Sequence, residues 1–182
     1  MQFSCVLFLL TILIMGQTGS TSGCNGNTAL CSRQYSNVSL VGTHDSAFVG
    51  ILPTDNQVES VSDQLDAGIR FLQAQTHLLE GELYLCHTSC DELNVGPLTD
   101  YLTTVQTWLE GNPNEVLTLL LTNGDYVDVS YFGTAMSTVG LESYAYTLPS
   151  QLTIDEWPTL QELIGQGTRL VMFLGWLPSP AI

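Results

Sequence analysis

Residues 37–47 read Asn-Val-Ser-Leu-Val-Gly-Thr-His-Asp-Ser-Ala. A short β-branched run, Val38 to Thr43, predicts a strand. It breaks at Gly42-Thr43-His44-Asp45-Ser46, which places a histidine and an acid immediately beyond the strand's end. Working outward, further strands are predicted over Ile69–Gln75 with a second run Leu83–Cys86, over Val116–Thr122, and over Arg169–Leu174.

Amphipathic segments lie between these runs. Val58, Val61 and Leu65 recur at helical spacing, and Leu98, Tyr101, Leu102, Val105, Trp108 and Leu109 form a longer stripe that opens at Pro97 and stops at Gly111-Asn112-Pro113. Shorter helical pieces are predicted over Tyr131–Val139 and Thr159–Ile164. Strands alternating with helices are the pattern of parallel βαβ units, so the predicted fold class is α/β. About four such units are counted, half of an eightfold barrel. The open edge after the last strand implies either a truncated product or completion by a partner.

The chain has 182 residues, of which 45% are apolar and 12% charged, a composition that folds into one core. Eighteen acids stand against Arg33, Arg70 and Arg169, a formal charge of −15. A nucleic acid or an anionic bilayer would be repelled, so neither is a predicted partner, and any phosphate must be met locally.

Residues 1–23 read as a signal peptide: Cys5–Met15 is one apolar run, shorter than a membrane span, with cleavage expected near Gly19–Gly23 and an uncleaved anchor as the alternative. The predicted domain is residues 24–182, and the predicted location is outside the cell, with the cell surface as a variant. Four cysteines then remain, Cys24, Cys31, Cys86 and Cys90, and three pairings are possible. Short loops favour Cys24 with Cys31 and Cys86 with Cys90, against the alternative of half a zinc site at Cys86, His87 and Cys90. Asn37-Val38-Ser39 is a glycosylation sequon.

His87 ends the run Leu83–Cys86, so in a parallel sheet it and His44 both occupy carboxyl ends of strands, where barrel active sites assemble. Cleaving a phosphodiester by internal hydroxyl attack needs one base and one acid, and histidine suits both. Singly, each is readable as a structural hydrogen-bonder; together, beside Asp45, they read as a site. His77, near Glu80-Gly81-Glu82, reads as an ordinary partly exposed residue.

In order, the segments Asn37–Ala47, Gln64–Leu72, Leu85-Cys86-His87, Asn112-Pro113 and Glu115–Asn123 resemble the phosphatidylinositol-specific phospholipase C X domain, and above all the secreted phospholipase C-like phosphodiesterases of fungi. The resemblance implies a TIM-barrel fold, here its N-terminal half, and a phosphoric diester hydrolase acting in lipid metabolism. It implies His44 as general base, His87 as general acid and Asp45 as the acid that orients His87. Family members place a further carboxylate, partner to the base, in the later part of the barrel.

Calcium-dependent members carry an acidic pair where this chain has Gln73 and Gln75, and a glutamate where it has Thr122; bacterial members carry an aspartate and an arginine at the glutamines. Two amides argue against a metal, so no cofactor is expected. Gln73 and Gln75, two apart on one strand face, are assigned to the phosphate together with Asn123 and Arg70. Arg70 is read as pointing to their side, with an ion pair to Asp66 or Asp63 as the alternative, and Asp125 reads as a solvated loop acid. The expected partner is a phosphodiester or lipid headgroup, with membrane contact only through substrate or a lost anchor. The rival readings are a non-catalytic headgroup or glycan binder and a disulfide-stabilised module in which His44 and His87 lie far apart.

Overall fold

In the computed structural model, which describes residues 23–176, the run Val38–Thr43 becomes a strand only at its end, β1 (Gly42–Thr43). Its neighbour sets that limit: β1 pairs in parallel with β2 (Phe71–Leu79), and ahead of Gly42 the contact thins to Arg70 N and Phe71 N donating to the Val41 carbonyl. Gly42 is required there, because a Cβ would stand 2.5 Å from the Phe71 ring. The apolar run Cys5–Met15 lies outside the described residues.

Among the described residues the sheet has six strands. β2 runs past Gln75 to Leu79, turns through Glu80 and Gly81, and returns antiparallel as β3 (Glu82–Cys86). Both turn residues have positive φ, 51° and 90°, the geometry whose twist matches a two-residue hairpin. β4 (Asn94–Pro97) pairs antiparallel with β3, while β5 (Leu117–Asn123) and β6 (Leu170–Trp176) continue in parallel on the other side of β2. The order is β4-β3-β2-β5-β6. The all-parallel expectation is therefore corrected at the β2–β3–β4 ribbon. β1 and β3 share one edge of β2, running toward each other.

Alternation along β2 sorts its side chains. Leu72, Ala74 and Thr76 are buried beneath the helices, while Phe71, Gln73 and Gln75 face the open, concave side. The helical layer is α1 (Val61–Asp66), α2 (Leu98–Gly111) and α3 (Ser130–Thr138). All six residues of the predicted stripe on α2 are buried. They pack against Leu72, Leu83, Leu85, Leu119 and Leu121 in the main core. Leu102 is fully enclosed, so Leu102→Ala would cost about 2–5 kcal/mol.

The last turn of α2 is fastened by Arg169, whose buried guanidinium donates to the carbonyls of Leu109, Asn112 and Glu115. A second apolar cluster closes the opposite end of the sheet. There α4 (Leu160–Gln166) brings Leu160 and Leu163 onto Val116, Val171 and Cys24. The Tyr35 hydroxyl meets Thr118 Oγ1 at 2.7 Å in the same region, and burial pushes its phenol pKa up. Cys24 is bridged to Cys31 and Cys86 to Cys90.

Candidate active site

β1 ends at Thr43, opposite Leu72, and β3 comes down to Cys86, beside Gln75. The gap between them on the edge of β2 receives His44 from below and His87 from above. His87 thus arrives at the end of an antiparallel strand, not the parallel one expected, and meets His44 because both strands belong to the same edge.

Asp45 is the centre of the gap. Its side chain is fully buried, and its Oδ2 lies 3.1 Å from His44 Nε2, 3.4 Å from His87 Nε2 and 3.1 Å from Gln75 Nε2. Three donors converge on one oxygen, while Oδ1 is buried with no hydrogen-bond partner. Asp45 also has a φ of 48°, a left-handed backbone that costs energy in a non-glycine residue and persists only where the surroundings impose it.

Those surroundings are explicit. The amide N–H groups of Asp45 and Ser46 donate to Gln73 Oε1 and to the Gln73 carbonyl, both at 2.7 Å. Ser46 Oγ donates to the same carbonyl and lies 2.9 Å from the Tyr101 hydroxyl. Burial, only partly offset by the Ser46 hydrogen bond, pushes the Tyr101 phenol far above its ordinary pKa, so it stays a neutral donor. Gln64 accepts from Thr43 Oγ1 and donates to the carbonyls of Ser46 and Glu59.

The histidines differ in environment. His44 is 69% exposed; its backbone carbonyl accepts from Gln57 Nε2 at 2.6 Å and its ring meets Asp45. Its Nε2 is the ring nitrogen that faces Asp45. His87 is 22% exposed and tilts against the Phe48 ring. Its Nδ1 meets the Thr54 carbonyl at 2.8 Å and its Nε2 faces a carboxylate, so both nitrogens point at acceptors.

The remaining expected residues separate. Gln73 and Gln75 sit in the gap, each with its oxygen engaged, by Asp45 N and Thr88 N, and with one amide N–H directed to Thr122 Oγ1 and to Asp45. Asn123 does not: it shares parity with Leu119 and Leu121, and its amide both donates to and accepts from the Val127 backbone. Arg70 does not either. It shares parity with Leu72, so it lies on the helix side, 2.7 Å from Glu115 and over the Trp108 ring. Asp66 instead accepts from Trp108 Nε1, and Asp63 from Ser60. Asn37 is exposed on the surface.

His77 lies within β2, on the concave parity, with Nδ1 2.9 Å from Asp125 Oδ1; Asp125 Oδ2 accepts from Leu78 N at 2.7 Å. Asp125 is therefore a fastener of the β5–α3 loop. Gln57, the Thr54 carbonyl, Gln64 and Tyr101 were not singled out by the sequence reading. Tyr101 was visible only as part of a helical stripe, and a backbone carbonyl leaves no residue-type signal.

A family model described as PI-PLC X 1 matches residues 30–179. The chain is 47% identical over 171 residues to a protein of Arthroderma benhamiae named PI-PLC X domain-containing protein 1, covering 92% of this chain and 56% of that one. It is 42% identical over 163 residues to another protein of that fungus named as an uncharacterized secreted protein, covering 88% and 37%. Among solved structures, the phosphatidylinositol-specific phospholipase C of Listeria monocytogenes superposes with a TM-score of 0.60 at 22% identity, over 79% of this chain and 53% of that one. A mutant form of the Staphylococcus aureus enzyme gives 0.60 at 16% identity, over 79% and 49%. These neighbours are TIM-barrel enzymes, and the likeness shows a shared fold. The chain spans about half their length, and 56% and 37% of the two fungal relatives.

Proposed function

This chain belongs to the PI-PLC X domain family, and from that premise we propose that it is a phosphoric diester hydrolase acting outside the cell on a phosphoinositide or glycophosphatidylinositol-type diester. The observation that carries the reading is the convergence of both histidines on one buried oxygen of Asp45.

His44, with Nε2–H on Asp45 and a bare nitrogen on an exposed ring, removes the proton of an internal hydroxyl as its oxygen attacks phosphorus. His87, held by the Thr54 carbonyl, gives its Nε2 proton to the departing oxygen as the P–O bond breaks. The 3.4 Å contact to Asp45 is the longer of its two polar contacts, and so the one a leaving oxygen displaces more easily. Asp45 positions both rings. The second N–H of Gln73 and that of Gln75 are the groups available to the phosphoryl oxygens.

The residues present do not fit a hard divalent cation. At the positions where calcium-dependent members carry carboxylates stand two amides and a hydroxyl, and the oxygens of all three already accept hydrogen bonds within the protein. Arg70 and Arg169 are committed elsewhere. That favours one second reading, a headgroup binder without turnover, because a missing electrostatic term costs several kcal/mol of barrier and every 1.36 kcal/mol is tenfold in rate. Secretion is supported by the name of one relative and by two disulfides.

The test is release of phosphorylated headgroup in the presence of a chelator by the wild-type chain and by His44→Ala. Loss of release in the variant is expected; equal rates would overturn the assignment, and binding of inositol phosphate with no release by either would favour the binder.

A further inference from the structure

We propose that the Cys86–Cys90 disulfide is a positioning device for His87; the proposal rests on the acid role assigned above to that residue. Cys86 is the last residue of β3 and fully buried, and Cys90 lies four residues on, so the bond encloses only His87, Thr88 and Ser89. The β3–β4 ladder shifts register between Tyr84 and Cys86 and resumes with Cys86 opposite Asn94, so the cross-link is anchored on the strand pair that immediately precedes the histidine.

Inside the loop the backbone is tightly constrained. His87 N donates to the Leu93 carbonyl at 3.0 Å, and Ser89 N folds back to the His87 carbonyl at 2.7 Å. Thr88, a β-branched residue, has a φ of 65°, a conformation that needs external restraint. Its N–H reaches Gln75 Oε1 at 3.2 Å, and the same amide donates to Asp45. The disulfide, the left-handed threonine and Gln75 thereby tie the backbone of the acid histidine to the carboxylate its ring faces.

Closing so short a loop restricts the unfolded chain little, so the bond's main effect falls on the three residues it spans. Cys24–Cys31 differs: it is packed in the second apolar cluster at the other end of the sheet. Cys90 is only half-buried, which leaves the site-proximal bond open to a small reductant.

General-acid help matters for an alkoxide leaving group and little for a nitrophenolate, which departs unaided. The full chain is therefore assayed on a dialkyl and on a nitrophenyl inositol phosphodiester, as wild type, as Cys86→Ala/Cys90→Ala and as wild type under mild reduction. Opening the bond is expected to lower kcat on the dialkyl substrate about 30-fold or more with KM nearly unchanged, and to change the nitrophenyl rate less than about threefold. Cys24→Ala/Cys31→Ala is expected to lower Tm and leave the ratio of the two rates as it was. Equal losses on both substrates, or none on either, would overturn the proposal.

The ring proton resonances of His87 and His77 give a readout that needs no turnover. On opening the bond, the His87 resonances are expected to broaden or move toward the unfolded-chain position while those of His77 stay. An unmoved His87 overturns the positioning role even if the chain cleaves neither substrate, an outcome that would count separately against the hydrolase reading.

Discussion

Two histidine–aspartate arrangements flank the concave face of β2, and they differ in what the carboxylate has left to give. Asp125 is 39% exposed and both its oxygens are satisfied, one by His77 Nδ1 and one by Leu78 N. Asp45 is fully buried, loads three donors onto Oδ2, leaves Oδ1 with none, and has a left-handed backbone. The complete hydrogen-bond set of the Asp125 carboxylate makes it a fastener, which ties β2 to the loop after β5, although the imidazole it holds keeps one buried nitrogen, His77 Nε2, without a hydrogen-bond partner. An incomplete set on a strained residue marks a group whose surroundings hold it for something other than stability.

The sharpest way to break that comparison is to remove the rings. His44→Ala and His87→Ala are each expected to lower kcat/KM by about 10²–10⁴-fold. His77→Ala should change it less than about threefold. Steady-state cleavage of a soluble inositol phosphodiester measures all three, and a His77→Ala loss as large as that of His87→Ala would erase the distinction.

Changing the carboxylates comes next. Asp45→Asn keeps the shape and tolerates the left-handed backbone, but it replaces an anion facing two imidazoles with a neutral amide. Loss of about 10–100-fold in kcat is expected, with Tm nearly unchanged, since in the proposed mechanism tautomer and ring orientation are what Asp45 supplies. Asp125→Asn should do the reverse: activity retained, and stability lowered by about 1 kcal/mol, or roughly 2–4 °C in Tm. Calorimetry and kinetics on the same two preparations decide it.

Much of this architecture is legible in the sequence where a single physical rule governs. The α2 stripe and the alternation of Leu72, Gln73, Ala74 and Gln75 follow from periodicity, and the two short disulfide loops from spacing. Gly42-Thr43-His44-Asp45 is recognisable because a strand ends there. The β2–β3 hairpin was hidden because its turn uses Glu80 at positive φ, where asparagine or aspartate would have announced it. Arg70 is assigned above to the face of Gln73 and Gln75, yet an even position opposes two odd ones along β2, and Asn123, chosen for its amide, shares parity with Leu119 and Leu121, so both lie on the helix side. The partners of His87 were unreadable for another reason: one is the Thr54 carbonyl, supplied by a loop whose path depends on tertiary contacts.

Tyr101 tests the boundary between fastener and site with the smallest change. Ser46 Oγ–H is spent on the Gln73 carbonyl, so in the 2.9 Å contact the Tyr101 hydroxyl is the donor and Ser46 Oγ the acceptor. Tyr101→Phe leaves that buried oxygen one donor short, at a cost of about 1 kcal/mol. The pH dependence has a definite sign. Burial raises the Tyr101 pKa, so the folded chain keeps a proton that the unfolded chain releases above pH of about 10. The stabilisation is complete below that value and declines as pH rises above it, and the advantage of wild type over Tyr101→Phe in chemical denaturation should shrink in step. Ser46 adjoins Asp45, so a kcat loss of about two- to fivefold is expected at neutral pH on top of the stability loss. A variant that loses Tm with kcat intact would put Tyr101 with Asp125 among the fasteners, and would mean that the strained Asp45 backbone is held by Gln73 and Gln64 without help from α2.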